Sequence, residues 1–291
     1  MSKPLIVVTG KSGQLGWEIE QLAKTWDNEY NFLFAGRTDL DLTQPDSIAP
    51  FFKKHTPAYF INCAAYTAVD KAETEQEQAY ITNAESVGKI AQQCNLFGCT
   101  LISISTDYVF DGNGTRPYRV DDVSTSPVNY YGYTKWLGEK LALENNPKTI
   151  IIRTSWVYST HGNNFVKTML RLMKERPELK VVSDQIGSPT YAADLASAIL
   201  QVIHSISKGN NHYGIYHYSN QGVISWHDFA VAIRDKAGLQ TNVLPIPSSA
   251  YPTPAKRPAY SVMDTNDIVR DFGVKLNTWE DSLTHCIQLL K

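Results

Sequence analysis

A short apolar segment that runs directly into a glycine-rich turn constrains the fold of this chain more than any other feature. Residues 5–9 read Leu-Ile-Val-Val-Thr, and residues 10–16 read Gly-Lys-Ser-Gly-Gln-Leu-Gly. A nearly continuous apolar run is typical of a strand that is covered on both faces. Glycines at this spacing allow a tight turn, bring backbone N–H groups close to a phosphate and let a helix pack against the strand. The pattern predicts a nucleotide-binding βα unit at the start of the chain.

Strands and helices are predicted to alternate through the first half of the chain. The predicted strands are residues 5–9, 31–35, 58–63, 100–105 and 149–153, and the predicted helices are residues 13–25, 45–54, 76–94 and 131–145. Alternation of this kind indicates a parallel, doubly wound α/β sheet of the Rossmann type.

The second half is less regular. We predict strands at 181–182 and 213–218, and helices at 192–206, from Ser225 onward with a capping box, and at 278–290. Five prolines between residues 245 and 258 predict an irregular loop. Because no linker of low complexity separates the halves, we predict a Rossmann domain over 1–155 and a smaller, interleaved α/β lobe over 156–291, with some return of the chain to the first domain.

Composition excludes several classes of function. The chain has 291 residues, 43% of them hydrophobic, and a net charge of −2, so neither nucleic acid nor an anionic membrane is an expected partner. The first apolar run is too short for a signal peptide or a membrane span. The four cysteines form no Cys-x-x-Cys pair and have no histidine at metal-ligand spacing. We therefore expect reduced thiols in a cytoplasmic protein.

The residue after the second predicted strand bears on the choice of nucleotide. An NAD site usually carries an acid about 20 residues beyond the glycines, but here Arg37 follows the strand. A cation favours the 2′-phosphate of NADPH, whereas a solvated surface arginine is the alternative. Asp39 and Asp41 come next and could reach the ribose or adenine, so NADH remains an alternative cofactor.

Small or hydroxylated residues end the third and fourth strands. Carboxyl strand ends face the crevice in such a fold, so the segment from Cys63 to Tyr66 could lie against the cofactor's ribose, although Cys63 could equally be core. Ser105 and Thr106 could bond a substrate carbonyl, or form a turn. The predicted cofactor site comprises Gly10, Ser12, Gly13, Gln14, Leu15, Gly16, Arg37, Asp41, Leu42, Cys63, Ala64, Ala65, Tyr66, Ser105, Tyr131 and Lys135.

Tyr131 and Lys135 form the most informative pair in the chain. Residues four apart on a helix share one face, and an ammonium group beside a phenol lowers the pKa of the phenol. Such a phenol can give a proton to an oxygen near neutral pH. The spacing alone also occurs on many solvated helices, so the pair gains its meaning from the glycine turn that precedes it.

These motifs, in this order, resemble the extended short-chain dehydrogenase/reductase superfamily. Within it, the chain is most similar to the dTDP-4-dehydrorhamnose reductase family. The segments that carry this resemblance are residues 13–16, 62–73, 105–112, 153–158, 162–165, 184–190 and 257–258.

The resemblance implies a reaction and roles for its residues. NADPH would reduce the 4-keto group of a dTDP-linked 6-deoxyhexose, dTDP-4-dehydro-L-rhamnose, to give dTDP-L-rhamnose. Tyr131 would protonate the alkoxide, Lys135 would lower the pKa of Tyr131 and hold the nicotinamide ribose, and Thr106 would bond the same oxygen. The implied substrate residues are Val69, Thr106, Asp107, Tyr131, Trp156, Asn163, Asn164 and, for the diphosphate, Arg257. A core role for Trp156 and a loop-locking role for Arg257 are the alternatives.

The resemblance also bears on metals and assembly. Some family members bind Mg²⁺ between subunits through glutamates, and Glu18 fits one such position. Alanine stands near Asp194 where a second glutamate would be expected. A dimer bridged by a metal is therefore not expected, although Mg²⁺ remains an alternative. We predict a solvated Glu18 and a monomer or homodimer.

Two other functions remain open from the sequence. Other members of the superfamily reduce the 4-keto group of a different nucleotide sugar, or epimerise or dehydrate nucleotide sugars with tightly held NAD. Arg37 argues against the reactions that use NAD. A related branch is a regulatory subunit of methionine adenosyltransferase, a binding module on the same fold. The presence of Tyr131, Lys135 and the strand-end hydroxyl together argues against that alternative.

Overall fold

The structure, a computed structural model, describes residues 3–122 and 127–291. The strands of the described residues are β1 (Leu5–Thr9), β2 (Asn31–Ala35), β3 (Tyr59–Asn62), β4 (Thr100–Thr106), β5 (Thr149–Thr154), β6 (Val157–Tyr158), β7 (Glu178–Val182), β8 (Ile186–Gly187), β9 (Thr190–Tyr191), β10 (Gly214–His217), β11 (Ile224–Ser225) and β12 (Asn242–Ile246).

Their α-helices are α1 (Gln14–Ala23), α2 (Ile48–His55), α3 (Val69–Ala72), α4 (Gln76–Tyr80), α5 (Ser86–Leu96), α6 (Tyr130–Asn145), α7 (Phe165–Glu175), α8 (Ala192–Ser207), α9 (Trp226–Ala237), α10 (Asn266–Phe272) and α11 (Trp279–Leu289). Short 3₁₀ turns lie at Lys24–Trp26, Pro45–Ser47, Asp107–Val109 and Ser248–Ala250. None of these helices is long and apolar enough to cross a membrane.

Six parallel strands form the central sheet, in the order β10-β5-β4-β3-β1-β2. The strand order reverses at β1, which lies between β2 and β3. In open α/β sheets, a crevice that suits a ligand forms outside the carboxyl ends of the strands at this reversal. The predicted doubly wound α/β fold is confirmed.

Helices cover both faces of the sheet, which explains the unbroken apolar strands. Ile6 and Val8 pack in one hydrophobic cluster with residues of α1, α8 and α10. Val7, whose side chain points to the opposite face, packs in a second cluster with residues of α2 and α5. Each strand therefore needs apolar residues at successive positions rather than alternate ones.

A third cluster lies in the second half of the chain, where α7, α9 and α11 pack with β7 and β12. The second half also contributes to the central sheet, because β10 pairs with β5 and α8 packs against α1. The two halves are therefore interleaved through these elements.

Three local predictions meet different outcomes. The helix expected over 76–94 consists of α4 and α5 joined by a π-helical turn at Ile81–Glu85. The capping box at Ser225 is confirmed, because its hydroxyl accepts from the N–H of Asp228 while the Asp228 carboxylate accepts from the N–H of Ser225. The loop expected from residue 245 was wrong at its start, because Pro245 lies in β12, where a two-stranded sheet tolerates the missing N–H.

Candidate active site

A cavity of about 740 Å³ opens at the carboxyl edge of the central sheet. It is lined by residues that end or follow five neighbouring strands: Gly10, Gly36, Cys63, Thr106 and Thr154. Its volume lies within the range of small-molecule sites. Because parallel strands present their ends at one edge, residues far apart in sequence meet here.

The glycine turn forms one wall of the cavity and requires glycine at two of its positions. Gly10 has φ +73°, in the left-handed region, and its oxygen accepts from the N–H of Gly13 at 2.9 Å. A Cβ on Gly16 would lie 2.3 Å from the Gly10 oxygen, and a Cβ on Gly10 would lie 2.9 Å from the Ala64 nitrogen. The turn, the start of α1 and the segment after β3 therefore approach one another more closely than side chains would allow.

Basic and acidic side chains follow β2 at the far end of the cavity. Arg37 and Asp41 line the cavity, and the Arg37 Nε lies 3.5 Å from the Asp41 Oδ1. Partial burial raises the pKa of Asp41, but hydrogen bonds from Thr43 and the nearby Arg37 outweigh it and hold the pKa below its usual value. A second pair, Lys11 and Asp39, lies 3.0 Å apart across the glycine turn and was not predicted. The lining at the far end therefore offers a cation, Arg37, and an acceptor, Asp41, while Lys11 and Asp39 lie outside it.

Helix α6 brings Tyr131 and Lys135 to the end of β4. The helix begins after Asn129, whose side-chain oxygen accepts from the N–H of Gly132 at 2.9 Å. The side chains of Tyr131 and Lys135 are buried and line the cavity with Ser105 and Thr106. The Lys135 ammonium donates to the Ile104 carbonyl oxygen at 2.6 Å, which fixes the helix against the strand. The structure therefore brings these four residues together on one surface of the cavity.

Burial controls the protonation of this pair. It raises the pKa of Tyr131 to about 12, which the Thr106 hydroxyl opposes and the Asp107 carboxylate reinforces. Burial also lowers the pKa of Lys135 to about 8, against the attraction of the Glu139 carboxylate. The expectation that Lys135 lowers the pKa of Tyr131 was therefore wrong, because loss of water around the phenol raises that pKa.

Asp107 is the most deeply buried acid of the cavity. Its Oδ1 accepts from the Thr106 hydroxyl at 3.0 Å, while its Oδ2 is buried without a hydrogen-bond partner among the described residues. Burial raises the pKa of Asp107 to about 6, which the nearby Ser261 and Thr106 hydroxyls oppose. A buried acceptor without a partner suits a ligand hydroxyl or amide that completes its hydrogen bonding.

The second half of the chain supplies the opposite wall. Trp156 lines the cavity, has φ +48° and stacks on Trp226 with ring centroids 3.6 Å apart. Such a backbone conformation costs free energy in a bulky residue and is found where a side chain must be aimed. Asn163 also lines the cavity, and Val69 of the first half joins it there.

Three predicted site residues lie outside the lining of the cavity. Arg257 donates to the Asp70 Oδ2 at 2.8 Å and to the Ala255 oxygen at 3.2 Å, which ties its loop to α3. Asn164 caps α7 and donates to the Gln14 Oε1 at 3.0 Å, so it supports a lining residue. The Tyr66 hydroxyl donates to Glu75 at 2.6 Å.

The chain closely resembles proteins of known family. A model of the RmlD substrate binding domain matches residues 4–291. A Salmonella typhimurium dTDP-4-dehydrorhamnose reductase is 43% identical over 94% of both chains.

Solved structures agree with this match. The crystal structure of a dTDP-4-dehydrorhamnose reductase from Clostridium acetobutylicum has a TM-score of 0.93, 40% identity, and coverage of 98% of this chain and 99% of that one. The crystal structure of the Bacillus anthracis dTDP-4-dehydrorhamnose reductase in complex with NADP has a TM-score of 0.92, 39% identity, and coverage of 99% and 100%. The chain belongs to the dTDP-4-dehydrorhamnose reductase family. The resemblance predicted from the motifs is confirmed, and with it an oxidoreductase on a Rossmann-type fold.

Several residues that line the cavity of this reductase-family chain were not predicted. They are Gly36, Leu40, Thr43, Thr67, Thr82, Ile104, Tyr108, Thr154, Ser155, Val157, Gly162 and Leu195. Thr154 and Ser155 follow from the rule already applied to the fourth strand, because they end and follow β5. No motif around Leu195 predicts a place in the site. It reaches the cavity only because α8, in the second half of the chain, packs back against α1.

The prediction that Glu18 is solvated was wrong. Its side chain is only 5% exposed, and its carboxylate accepts from the Ser159 hydroxyl at 2.5 Å. Burial raises the pKa of Glu18, which that hydrogen bond opposes. Residue 159 lies in the second half, so the sequence around α1 could not reveal this contact. Within residues 3–122 and 127–291, no three His, Cys, Asp or Glu side chains gather in a way that could hold a metal ion.

Proposed function

We propose that this chain reduces the 4-keto group of dTDP-4-dehydro-L-rhamnose to give dTDP-L-rhamnose, with NADPH as reductant. The observation that carries the proposal is the meeting of Thr106, Tyr131 and Lys135 in the same cavity as the glycine turn. Membership of the dTDP-4-dehydrorhamnose reductase family supplies the substrate class.

The residues of the turn fit a dinucleotide. Gly10 and Gly16 let the turn, the start of α1 and the segment after β3 approach one another closely, and no side chain caps the backbone N–H groups at the start of α1. Arg37 at the far end suits a 2′-phosphate, and the Bacillus anthracis relative was crystallised with NADP. Since Asp41 is also an acceptor for ribose hydroxyls, we propose that NADH is used less well. When bound, NADPH supplies the hydride.

The protein's part in the reaction is to hold and deliver a proton. The Tyr131 phenol donates to the carbonyl oxygen as negative charge develops there. The Thr106 hydroxyl, which donates to the Asp107 Oδ1 in the unliganded protein, turns its proton from that carboxylate to the same oxygen. The Lys135 ammonium lies one helical turn away and carries a positive charge below its pKa of about 8. Because these groups are buried, the low local dielectric strengthens each interaction.

The two halves of the chain divide the remaining work. We assign residues 1–155 mainly to the cofactor and residues 156–291 mainly to the sugar nucleotide. Val69, Asp107, Trp156 and Asn163 line the cavity where the sugar would lie. Arg257 and Asn164 would act indirectly. Arg257 holds Asp70, and Asn164 holds Gln14 of the cavity lining.

The first test is turnover by the purified protein. Incubated with a panel of 4-keto nucleotide sugars, it should consume one NADPH for each dTDP-linked 6-deoxy-4-ketohexose reduced. Tyr131→Phe should lower kcat by roughly two to four orders of magnitude, the usual contribution of a general acid, and leave NADPH affinity near that of the wild type. Tyr133→Phe, two residues along the same helix and 41% exposed, is the matched control and should keep wild-type turnover.

Two results would contradict the proposal. Tightly bound NAD in the purified protein, with no net consumption of NADPH, would indicate an epimerase or dehydratase. Recovery of a methionine adenosyltransferase partner together with no turnover of any sugar would indicate a regulatory subunit.

A further inference from the structure

Glu139 is a buried acid that the reaction described above does not use. It lies four residues after Lys135, which itself lies four residues after Tyr131, so the three side chains share one face of α6. Its side chain is 3% exposed. A carboxylate is seldom buried this deeply unless it is paired, so its partners indicate its role.

Those partners come from the two strands that end at the cavity. The Glu139 Oε1 accepts from the Ser105 hydroxyl at 2.5 Å and from the Arg153 Nε at 2.9 Å, and its Oε2 accepts from the Arg153 Nη2 at 2.7 Å. Ser105 and Arg153 are register partners in the β4–β5 ladder. One carboxylate therefore joins the helix that carries Tyr131 to the ends of both strands.

The charges around Lys135 show what else this carboxylate does. Tyr131 and Glu139 face it from α6, Cys63 from the segment after β3, and the Ile104 carbonyl from β4. Burial lowers the pKa of Lys135, and Glu139 is the largest influence that raises it. The Asp107 carboxylate raises the pKa of Tyr131 rather than that of Lys135. Arg153 of β5 is paired with Glu139, and its Nη1 lies 3.5 Å from the Nε2 of His217 of β10.

We propose that Glu139 is a positioning residue for the reduction, a role that rests on the proposed function. Its carboxylate holds the ends of β4 and β5 against α6 and keeps Lys135 in its ammonium form. If packing alone were needed, apolar residues of similar volume would serve equally well, because a buried ion pair seldom adds net stability. Apolar residues could not replace the negative charge that Glu139 places one helical turn from Lys135.

The test compares Glu139→Gln with Glu144→Gln, which removes the same charge from an exposed position on the same helix. Lysine labelled with carbon-13 reports the titration of Lys135 by NMR in the unliganded protein, and Lys135→Arg identifies its signal. The pH profile of kcat/KM with NADPH gives the second readout.

In Glu139→Gln we expect the Lys135 titration and the alkaline limb of the profile to move to lower pH by about one unit or more. Activity falls at high pH because the ammonium group loses its proton there, so a lower pKa brings that loss to lower pH. Glu139→Asp keeps the charge and should restore the wild-type limb, whereas Glu144→Gln should not move it. Identical Lys135 titrations in Glu139→Gln and wild type would overturn the proposal, as would equal losses of rate in the Gln and Asp variants with no movement of the limb.

Two further comparisons allow the proposal to be tested even if a variant does not fold or the wild type shows no turnover. If Arg153 left without its partner prevents folding, Glu139→Gln is made in an Arg153→Gln background, where no cation is left unpaired. Identical Lys135 titrations in Arg153→Gln and in Glu139→Gln/Arg153→Gln would then overturn the proposal. The NMR readout needs neither cofactor nor turnover. Failure of the wild type to reduce any 4-keto sugar would therefore refute the proposed function while the Lys135 titration still tests the electrostatic role of Glu139.

Discussion

The Tyr131 hydroxyl is well suited to give up a proton, although its pKa lies far above neutral. At a pKa of about 12 the phenol is fully protonated at pH 7, which is the form that a reduction needs. The oxygen that receives the proton becomes an alkoxide, a much stronger base than a phenolate, so the transfer still runs downhill. The strong lowering of the Tyr131 pKa that the Tyr-x-x-x-Lys spacing suggests is therefore not required for catalysis in this direction.

Arg37 should decide between the two nicotinamide cofactors. Arg37→Ala removes the cation proposed to bind the 2′-phosphate, and a charged hydrogen bond is worth about 1.5–3 kcal/mol. The KM for NADPH should therefore rise about tenfold to a hundredfold, while the KM for NADH stays near its wild-type value. Steady-state kinetics with both cofactors measures this, and NADH provides the internal control. An equal rise for both cofactors would show that Arg37 acts on the fold rather than on the phosphate.

At the scale of the elements, the contact between β1 and α1 should be least tolerant of change at Gly16. A Cβ there would lie 2.3 Å from the Gly10 oxygen, and backbone cannot move aside as a flexible side chain can. Gly16→Ala should cost about 1–3 kcal/mol of unfolding free energy and abolish most NADPH binding, measured by thermal unfolding and fluorescence titration. Gly13→Ala is the comparison, because its Cβ would lie 3.3 Å from the same oxygen and its φ of −79° suits any residue. Equal effects at both positions would contradict this.

Strands and helices that are determined by their own sequence could be predicted, whereas those determined by contacts with distant parts of the chain could not. β1 and β2 match their predicted bounds because each is an apolar run flanked by turn residues. β7 was predicted as only Val181 and Val182, because its exposed positions include Glu178 and Lys180 and it is buried on one face. The π-helical turn between α4 and α5 leaves the helical pattern of the sequence intact, so no periodicity marks it.

At the scale of the molecule, the site is closed by contacts that no segment shows by itself. His161, from the loop before α7, stacks on Trp17 of α1 with ring centroids 5.0 Å apart and lies 3.1 Å from the Ser12 oxygen. Gln14 reaches the Val157 oxygen at 3.5 Å. The sequence predicted the residues of the glycine turn, but these partners lie about half the chain away. What could be predicted was which residues stand at the strand ends, and what could not was the surface that covers them.

The burial of His217 should make the whole molecule sensitive to acid. His217 lies at the end of β10, with its Nδ1 3.1 Å from the Asp264 oxygen and its Nε2 3.5 Å from Arg153. Burial, and then the Arg153 charge, lower the pKa of His217 to about 3, so the folded protein holds it neutral. The unfolded chain takes up a proton below about pH 6.5, and folding stability is therefore lost as the pH falls from there towards 3.

His217→Asn removes this titration while keeping a donor for the Asp264 oxygen. The variant should be less stable than wild type at pH 7, because a buried ring is lost, but that difference should shrink by about 2 kcal/mol between pH 7 and pH 5. Urea unfolding at each pH measures it. Asp107, whose raised pKa of about 6 acts in the opposite sense, is present in both proteins and cancels in the difference. Between pH 7 and pH 8 the difference should stay constant, and a constant difference down to pH 5 would mean that His217 is protonated in the folded protein.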